Sequence, residues 1–162
     1  MKRLQATHGF PPAFDESCTT LILGSFPSMD SREAGFFYAH PQNRFWRLLS
    51  AIFEEKKPET IAEKKVFLLE HHLALYDVIE SCSIKGSSDT SIKDVIPANL
   101  GSINAPINKI LLNGKKAAAL YQRFMKTPFG VKVYVLPSTS PANASYSLAR
   151  LIEEWRPILL DN

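Results

Sequence analysis

Three short runs constrain this chain most: Thr19–Leu23, Ile107–Leu112 and Val131–Leu136 each close on consecutive apolar residues, Leu21–Leu23, Ile110–Leu112 and Val133–Leu136. A strand of that kind is buried on both faces, which is the condition of a parallel sheet covered by helices. The runs stop at turn-forming residues: Gly24, the pair Asn113-Gly114, and Pro137. Between them apolar residues recur at helical intervals. In NRFWRLLSAIFEE, which starts at Asn43, Phe45, Leu48, Leu49, Ile52 and Phe53 share one side, with Arg44, Arg47, Glu54 and Glu55 elsewhere. Residues 60–72 repeat the pattern, KKAAALYQRFM from Lys115 is rich in helix formers, and Pro137 to Ala142 leads into a final helix through Trp155. Parallel strands need crossovers of about a dozen residues or more, so this order predicts an α/β fold with helices on both faces of the sheet. Leu73–Ile79 is an apolar connection whose type the pattern leaves open, Ser81–Thr90 reads as a loop, and the residues before Thr19 are a polar, proline-containing lead.

Composition closes off several classes. With 162 residues, 45% apolar and 22% charged, the whole span 1–162 fits one globular domain with a real core. No run of about eighteen apolar residues exists to span a bilayer, and no apolar stretch follows the basic start MKRL, so neither membrane insertion nor secretion is expected. Cys18 and Cys82 stand far apart without metal-ligand spacing, which argues against a zinc site or disulfide framework and fits a reducing cytoplasm. A formal net charge of +3 leans toward an anionic partner without requiring one.

Two segments at the carboxyl ends of the expected strands have unusual chemistry, and in open parallel sheets that edge holds the functional crevice. GSFPS at Gly24–Ser28 is followed by FFYAHPQNRFW. Asn43 there suits a helix cap, but the aromatics can also stack on a planar heterocycle while an amide meets its edge with a donor and an acceptor. LPSTSPAN, around Pro137–Asn143, reads either as a turn and cap or as a phosphate site at a helix N-terminus.

The strings GSFPS, YAHPQNRFW and LPSTSPAN together resemble the mismatch-specific branch of the uracil-DNA glycosylase superfamily, most closely its hypoxanthine-DNA glycosylase (DNA-deoxyinosine glycosylase) family. The resemblance implies a three-layer α/β/α domain with a central, mainly parallel four-stranded sheet. It also implies a monomer that flips a damaged base out of DNA and hydrolyses its N-glycosidic bond with no cofactor and no metal, in the cytoplasm at the nucleoid. On this resemblance Gly24, Ser25, Phe26 and Pro27 line the base pocket with His40, Tyr38 stacks on the flipped base, and Ser138, Thr139, Ser140, Pro141, Ala142 and Asn143 engage DNA. Many relatives carry Asn or Asp in the first loop where this chain has Phe26; the expected catalytic group therefore moves to Asn43, whose amide can hold a water or donate to the base.

Further residues carry weaker readings. Arg44, Arg47, Lys64-Lys65 and Lys115-Lys116 are candidates for phosphate contacts or plain solvated charges, and Asp89 is either a pocket group or a helix cap. No lysine falls in either loop, so a lyase step through a Schiff base is not expected and the enzyme would be monofunctional. Uracil or mismatched thymine as substrate and a non-catalytic DNA-binding relative are the alternatives. A serine hydrolase using Ser138 or Ser140 lacks the G-x-S-x-G elbow.

Overall fold

The computed structural model describes residues 1–161. In chain order the elements are β1 (Arg3–Thr7), β2 (Thr20–Gly24), α1 (Met29–Ala34), α2 (Phe45–Phe53), α3 (Ile61–Glu70), β3 (Leu73–Asp77) and β4 (Ile79–Lys85). They continue with β5 (Lys93–Pro97), β6 (Lys109–Asn113), α4 (Lys115–Phe124), β7 (Lys132–Leu136) and α5 (Leu148–Leu160). The central sheet has the order β3-β2-β6-β7 and every pair in it is parallel. All residues of β2, β3 and β6 are buried, in keeping with their largely apolar sequences, while the edge strand β7 is fully buried only at Leu136.

Crossovers between parallel strands are right-handed. The steps from β2 to β3 and from β6 to β7 run in opposite directions across the sheet, so α1–α3 and α4 cover opposite faces. Helix α5 packs on α2 and joins that layer, completing the three-layer α/β/α arrangement. Thr60 caps α3 by accepting from the Glu63 backbone N–H at 3.0 Å, a local stop that fixes where the helix begins. At the far end of α5, Lys109 donates to the carbonyls of Ile158, at 2.7 Å, and Asp161, satisfying acceptors that the helix leaves free. Burial pushes the pKa of that ammonium down, opposed by the charge of Asp161.

The expected strands and helices are present, with ends shifted by at most two residues except in the final helix, which starts at Leu148 and runs past Trp155 to Leu160. Four segments differ in kind. Leu73–Asp77 is a full strand of the central sheet. Half of the expected loop at 81–90 is strand β4, which with β1 and β5 makes a second, antiparallel sheet in the order β1-β4-β5. The polar lead supplies β1. β1 and β5 are mostly exposed and β4 carries a glutamate and serines among its buried residues, so these strands have little to distinguish them from loops. Last, LPSTSPAN does not open the final helix: Ser147 caps α5 by accepting from the Arg150 N–H at 3.2 Å, so residues 137–147 form a loop and no helix N-terminus is presented there.

Trp155 joins the layers. Its side chain is fully buried, its ring meets Phe45 of α2 edge to face, and its indole N–H donates to the Pro137 carbonyl at 2.9 Å. Trp155→Ala is expected to cost about 3–5 kcal/mol of stability through the cavity and the lost bond, read by chemical denaturation.

Candidate active site

A cavity of about 260 Å³ opens at the carboxyl edge of the central sheet, and the ends of all four strands reach it: Gly24 from β2, Asp77 from β3, Asn113 from β6 and Ser138 just after β7. Parallel strands place all their carboxyl ends at one edge, so residues far apart in sequence meet there. Gly24, Ser25, Phe26 and Pro27 form one wall. Tyr38, His40 and Asn43 form a second, and Ser138, Thr139, Ser140, Pro141 and Ala142 a third. The fold thus brings together every residue that the resemblance assigned to the base pocket or to DNA contact except Asn143, while the basic residues Arg44, Arg47, Lys64, Lys65, Lys115 and Lys116 lie outside the cavity lining. The Asn143 side chain turns back on its own loop and donates to the Ser138 carbonyl at 3.0 Å.

Tyr38 sits with φ at +54°, the left-handed region that a bulky side chain rarely enters. Its ring stacks on Phe45, with centroids 4.0 Å apart, and its hydroxyl accepts a hydrogen bond from Asn113 Nδ2 at 3.2 Å. The same Nδ2 donates to Thr139 Oγ1 at 3.1 Å, and Asn113 Oδ1 accepts from the Thr139 N–H at 3.0 Å. Asn113 therefore ties the second wall to the third. Thr139 is fully buried, with its hydroxyl turned inward to this amide. Burial pushes the Tyr38 hydroxyl far above the usual phenol range, the charge of Asp77 adds to the rise and the bond from Asn113 opposes it, so the group stays a protonated donor.

Asn43 Oδ1 accepts from the Phe45 N–H at 2.9 Å, tethering the start of α2. Its Nδ2 has no partner among the described residues. Next to it, the Arg44 guanidinium donates to the carbonyls of Ser140 at 2.9 Å, Asn143 at 3.1 Å and Tyr146, and through Nε weakly to Thr139 at 3.4 Å. Four carbonyls take four of its five N–H donors, so Arg44 holds the 138–146 loop against α2. His40 is half-exposed at the rim; its Nδ1 accepts from the Gln42 N–H at 3.1 Å and its Nε2 lies 4.0 Å from Asp30 Oδ2.

Two carboxylates complete the cavity. Asp77 is buried and pairs with buried His8 at 2.7 Å. Asp89 accepts from the Ser25 hydroxyl at 2.9 Å, and the 3-10 turn it lies in begins after Ser88, so it acts as a pocket group and not as a cap. Solvent reaches Asp89 through the open mouth, but the surrounding protein still penalises its charge. Burial pushes its carboxyl up from the usual range, the bond from Ser25 pulls it down, Asp77 raises it and Lys116 lowers it.

The sequence offered Asp89 as an alternative but gave Asp77 no role, and it passed over His8 and Asn113. For the last there was a signal, since Asn113 closes an apolar strand at the edge where the crevice lies. His8 had none: it comes from the polar lead, and only the pairing of β1 with β4 carries it inward.

A folded-state pKa above the unfolded value means that the ionised group opposes folding, and that this opposition vanishes as pH falls through the raised pKa. Asp89→Asn is therefore expected to be more stable than the wild type at neutral pH. The two should converge in acid, at and below the ordinary carboxylate pKa of about 4, where Asp89 is protonated in both states. Thermal melts across that range check the crossing.

Comparison with known proteins fits this geometry. The sequence profile of the Uracil DNA glycosylase superfamily matches residues 11–158. A protein of Methanosarcina acetivorans named hypoxanthine DNA glycosylase is 35% identical over 154 residues, covering 93% of this chain and 96% of its own. One of Methanosarcina barkeri with the same name is 34% identical over 139 residues, covering 83% and 87%. A solution NMR structure from M. acetivorans, described as a candidate uracil DNA glycosylase, superposes with a TM-score of 0.79 at 31% identity and covers 96% of this chain and 97% of its own. No described helix is long and apolar enough to cross a membrane. With a family profile spanning nearly its whole length and its cavity at the carboxyl edge of a four-stranded parallel sheet, the chain belongs to the uracil-DNA glycosylase superfamily.

Proposed function

We propose that this protein is a monofunctional DNA glycosylase that removes hypoxanthine from deoxyinosine in DNA by hydrolysing the N-glycosidic bond, the opening step of base excision repair. The observation that carries this reading is Asn43: it lies on the cavity wall beside Tyr38, with its carbonyl tethered to the backbone and its Nδ2 uncommitted. The relatives named as hypoxanthine DNA glycosylases, which align with 83–93% of the chain, support the choice of base. On this reading the protein works as a monomer on DNA in the cytoplasm, at the nucleoid.

Breaking the bond leaves positive charge on the sugar and negative charge on the departing base, so donors aimed at the base act most strongly in the transition state. Asn43 Nδ2 is one such donor and the Tyr38 hydroxyl another, because a phenol that accepts from Asn113 keeps its own proton to give. The exposed Pro141 and Ala142 at the rim fill the gap left in the stack when the nucleotide turns out, and Ser138 and Ser140 beside them approach the phosphates. Phe26 is buried and packs under the Arg32 guanidinium at 5.2 Å, so its side chain contributes a wall and no water-holding group. No lysine lines the cavity, which leaves hydrolysis without a Schiff base.

Oligonucleotides bearing inosine, uracil or xanthine, heated in alkali after incubation, test the reading; scission at inosine is the expected result. Retarded mobility without scission would instead identify a DNA-binding protein. Asn43→Ala should cut the release of hypoxanthine by about 10²-fold or more while leaving DNA affinity nearly intact and costing about 1 kcal/mol of stability at the start of α2.

A further inference from the structure

Hydrolysis needs an acceptor for the proton that the attacking water loses, and Phe26 offers none. The carboxylates that line the cavity are Asp77 and Asp89, and its amide and hydroxyl oxygens are far weaker bases. Asp77 is buried at the end of β3 and already bonded to His8 at 2.7 Å. Asp89 is exposed at the mouth, and its two oxygens differ: Oδ1 accepts from the Ser25 hydroxyl at 2.9 Å, while Oδ2 has no partner among the described residues. A flipped nucleotide enters base first, and its sugar, still joined to the DNA backbone, stays nearer the mouth. Depth therefore sets Asp89 at the level of the reacting carbon. Its charge does nothing for the fold, since it makes no ion pair among the described residues and shares the cavity with a second carboxylate. The loop that carries it is nonetheless fastened on both sides. Arg3 donates to the Ser91 carbonyl at 2.6 Å, and Ser91 Oγ to the Ser88 carbonyl at 2.7 Å. Arg32 donates to the Gly86 carbonyl, and the Met29 N–H to Ser87 Oγ, both at 2.8 Å. A charge held rigidly in a cleft, at a cost to stability, marks a group kept for chemistry.

We propose that Asp89 is a catalytic residue, its free Oδ2 holding the attacking water and taking the proton that the water loses, and that Ser25 is the positioning residue that turns this oxygen toward the sugar. The inference rests on the reading of the protein as a DNA glycosylase. In the step, the water oxygen bonds to C1′ as the bond from C1′ to the base breaks. The bonding pair leaves with the base, and the water's proton passes to Asp89. Asn43 and Tyr38 donate hydrogen bonds to the departing anion, which takes up a proton from solvent, and Asp89 returns its own to solvent through the open mouth. The carboxylate also stands near the sugar, where positive charge grows, so its attraction is strongest in the transition state. The work is divided between walls: donors beside α2 meet the base, and a carboxylate from the turn between β4 and β5 meets the sugar. Neither of the two motif loops supplies that carboxylate.

The test is single-turnover release of base from inosine-containing DNA, from about pH 4 to about pH 8, by the wild type, Asp89→Asn and Ser25→Ala, with melting curves and DNA affinity on each. At neutral pH Asp89→Asn should lose about 10²-fold or more in rate. It should also melt higher than the wild type and bind DNA at least as tightly, because a negative charge has left the site of a polyanion. In the wild type the rate should fall as pH falls through the raised pKa of Asp89, since a protonated carboxyl cannot accept, and Asp89→Asn should lack this acid limb. Ser25→Ala removes a bond that favours the charged form, so its limb should move to higher pH. The groups that share the field of Asp89 are Asp77 from β3, Lys116 from α4, Tyr38, and Cys82 from β4. Burial keeps the last two protonated across this range. A residue that merely shaped the loop would cost stability when replaced and leave the limb in place. An undiminished rate in Asp89→Asn, or a slow Asp89→Asn that keeps the wild-type limb, overturns the proposal. If the wild type releases uracil but no hypoxanthine, only the choice of base fails, and the same variants decide the role of Asp89 on uracil. A wild type that releases no base at all removes the glycosylase reading and this role together.

Discussion

Three parallel strands buried on both faces end at one edge of the sheet, and every group that lines the cavity depends on that. Parallel pairing aligns β2, β3 and β6 so that Gly24 stands opposite Asp77 while Asn113 falls one residue beyond the last β2–β6 pair. The chain must leave each strand at that edge, and the residues on which it does so are Gly24, Asp77 and Asn113. Gly24 leaves room for a carboxylate, Asp77 brings one, and Asn113 supplies an amide whose donors and acceptor are all used. The site is built from strand ends, and the loops are fastened to it.

That fastening is done by few side chains. Asn113 bonds Tyr38 and Thr139 together, and Arg44 spends its guanidinium on the carbonyls of the 138–146 loop. Both residues are polar and partly or fully enclosed, and both are satisfied by backbone or neutral partners instead of counter-ions. A loop held in this way is rigid without being helical, which suits the role of wedge in the DNA stack proposed for it above. Tyr38, with φ at +54°, shows the same principle: its unfavourable backbone is sustained by stacking on Phe45 and by the bond to Asn113.

Much of the fold was legible because unbroken apolar runs and helical repeats are statements about burial. Thr19–Leu23, Ile107–Leu112 and Val131–Leu136 could be placed in a covered parallel sheet with no further knowledge. Leu73–Asp77 has the same character, but it follows a helix without a turn signal, which hid it. β1 and β4 were invisible for another reason: Arg3, Gln5, Glu80, Ser81, Ser83 and Lys85 break up their apolar residues, where a core strand would keep them together.

The sequence by itself determined the covered parallel sheet, the family motifs and the concentration of aromatic, amide and hydroxyl groups next to strand ends, because burial and turn chemistry are written in local patterns. Tertiary structure alone decided what those groups do. It gave Arg44 to the loop carbonyls, turned Thr139 and Asn143 inward, moved the helix start away from LPSTSPAN, and brought His8 across 69 residues to Asp77. Hydrogen-bond partners are set by where strands pair in space, and no local pattern encodes a partner so far along the chain.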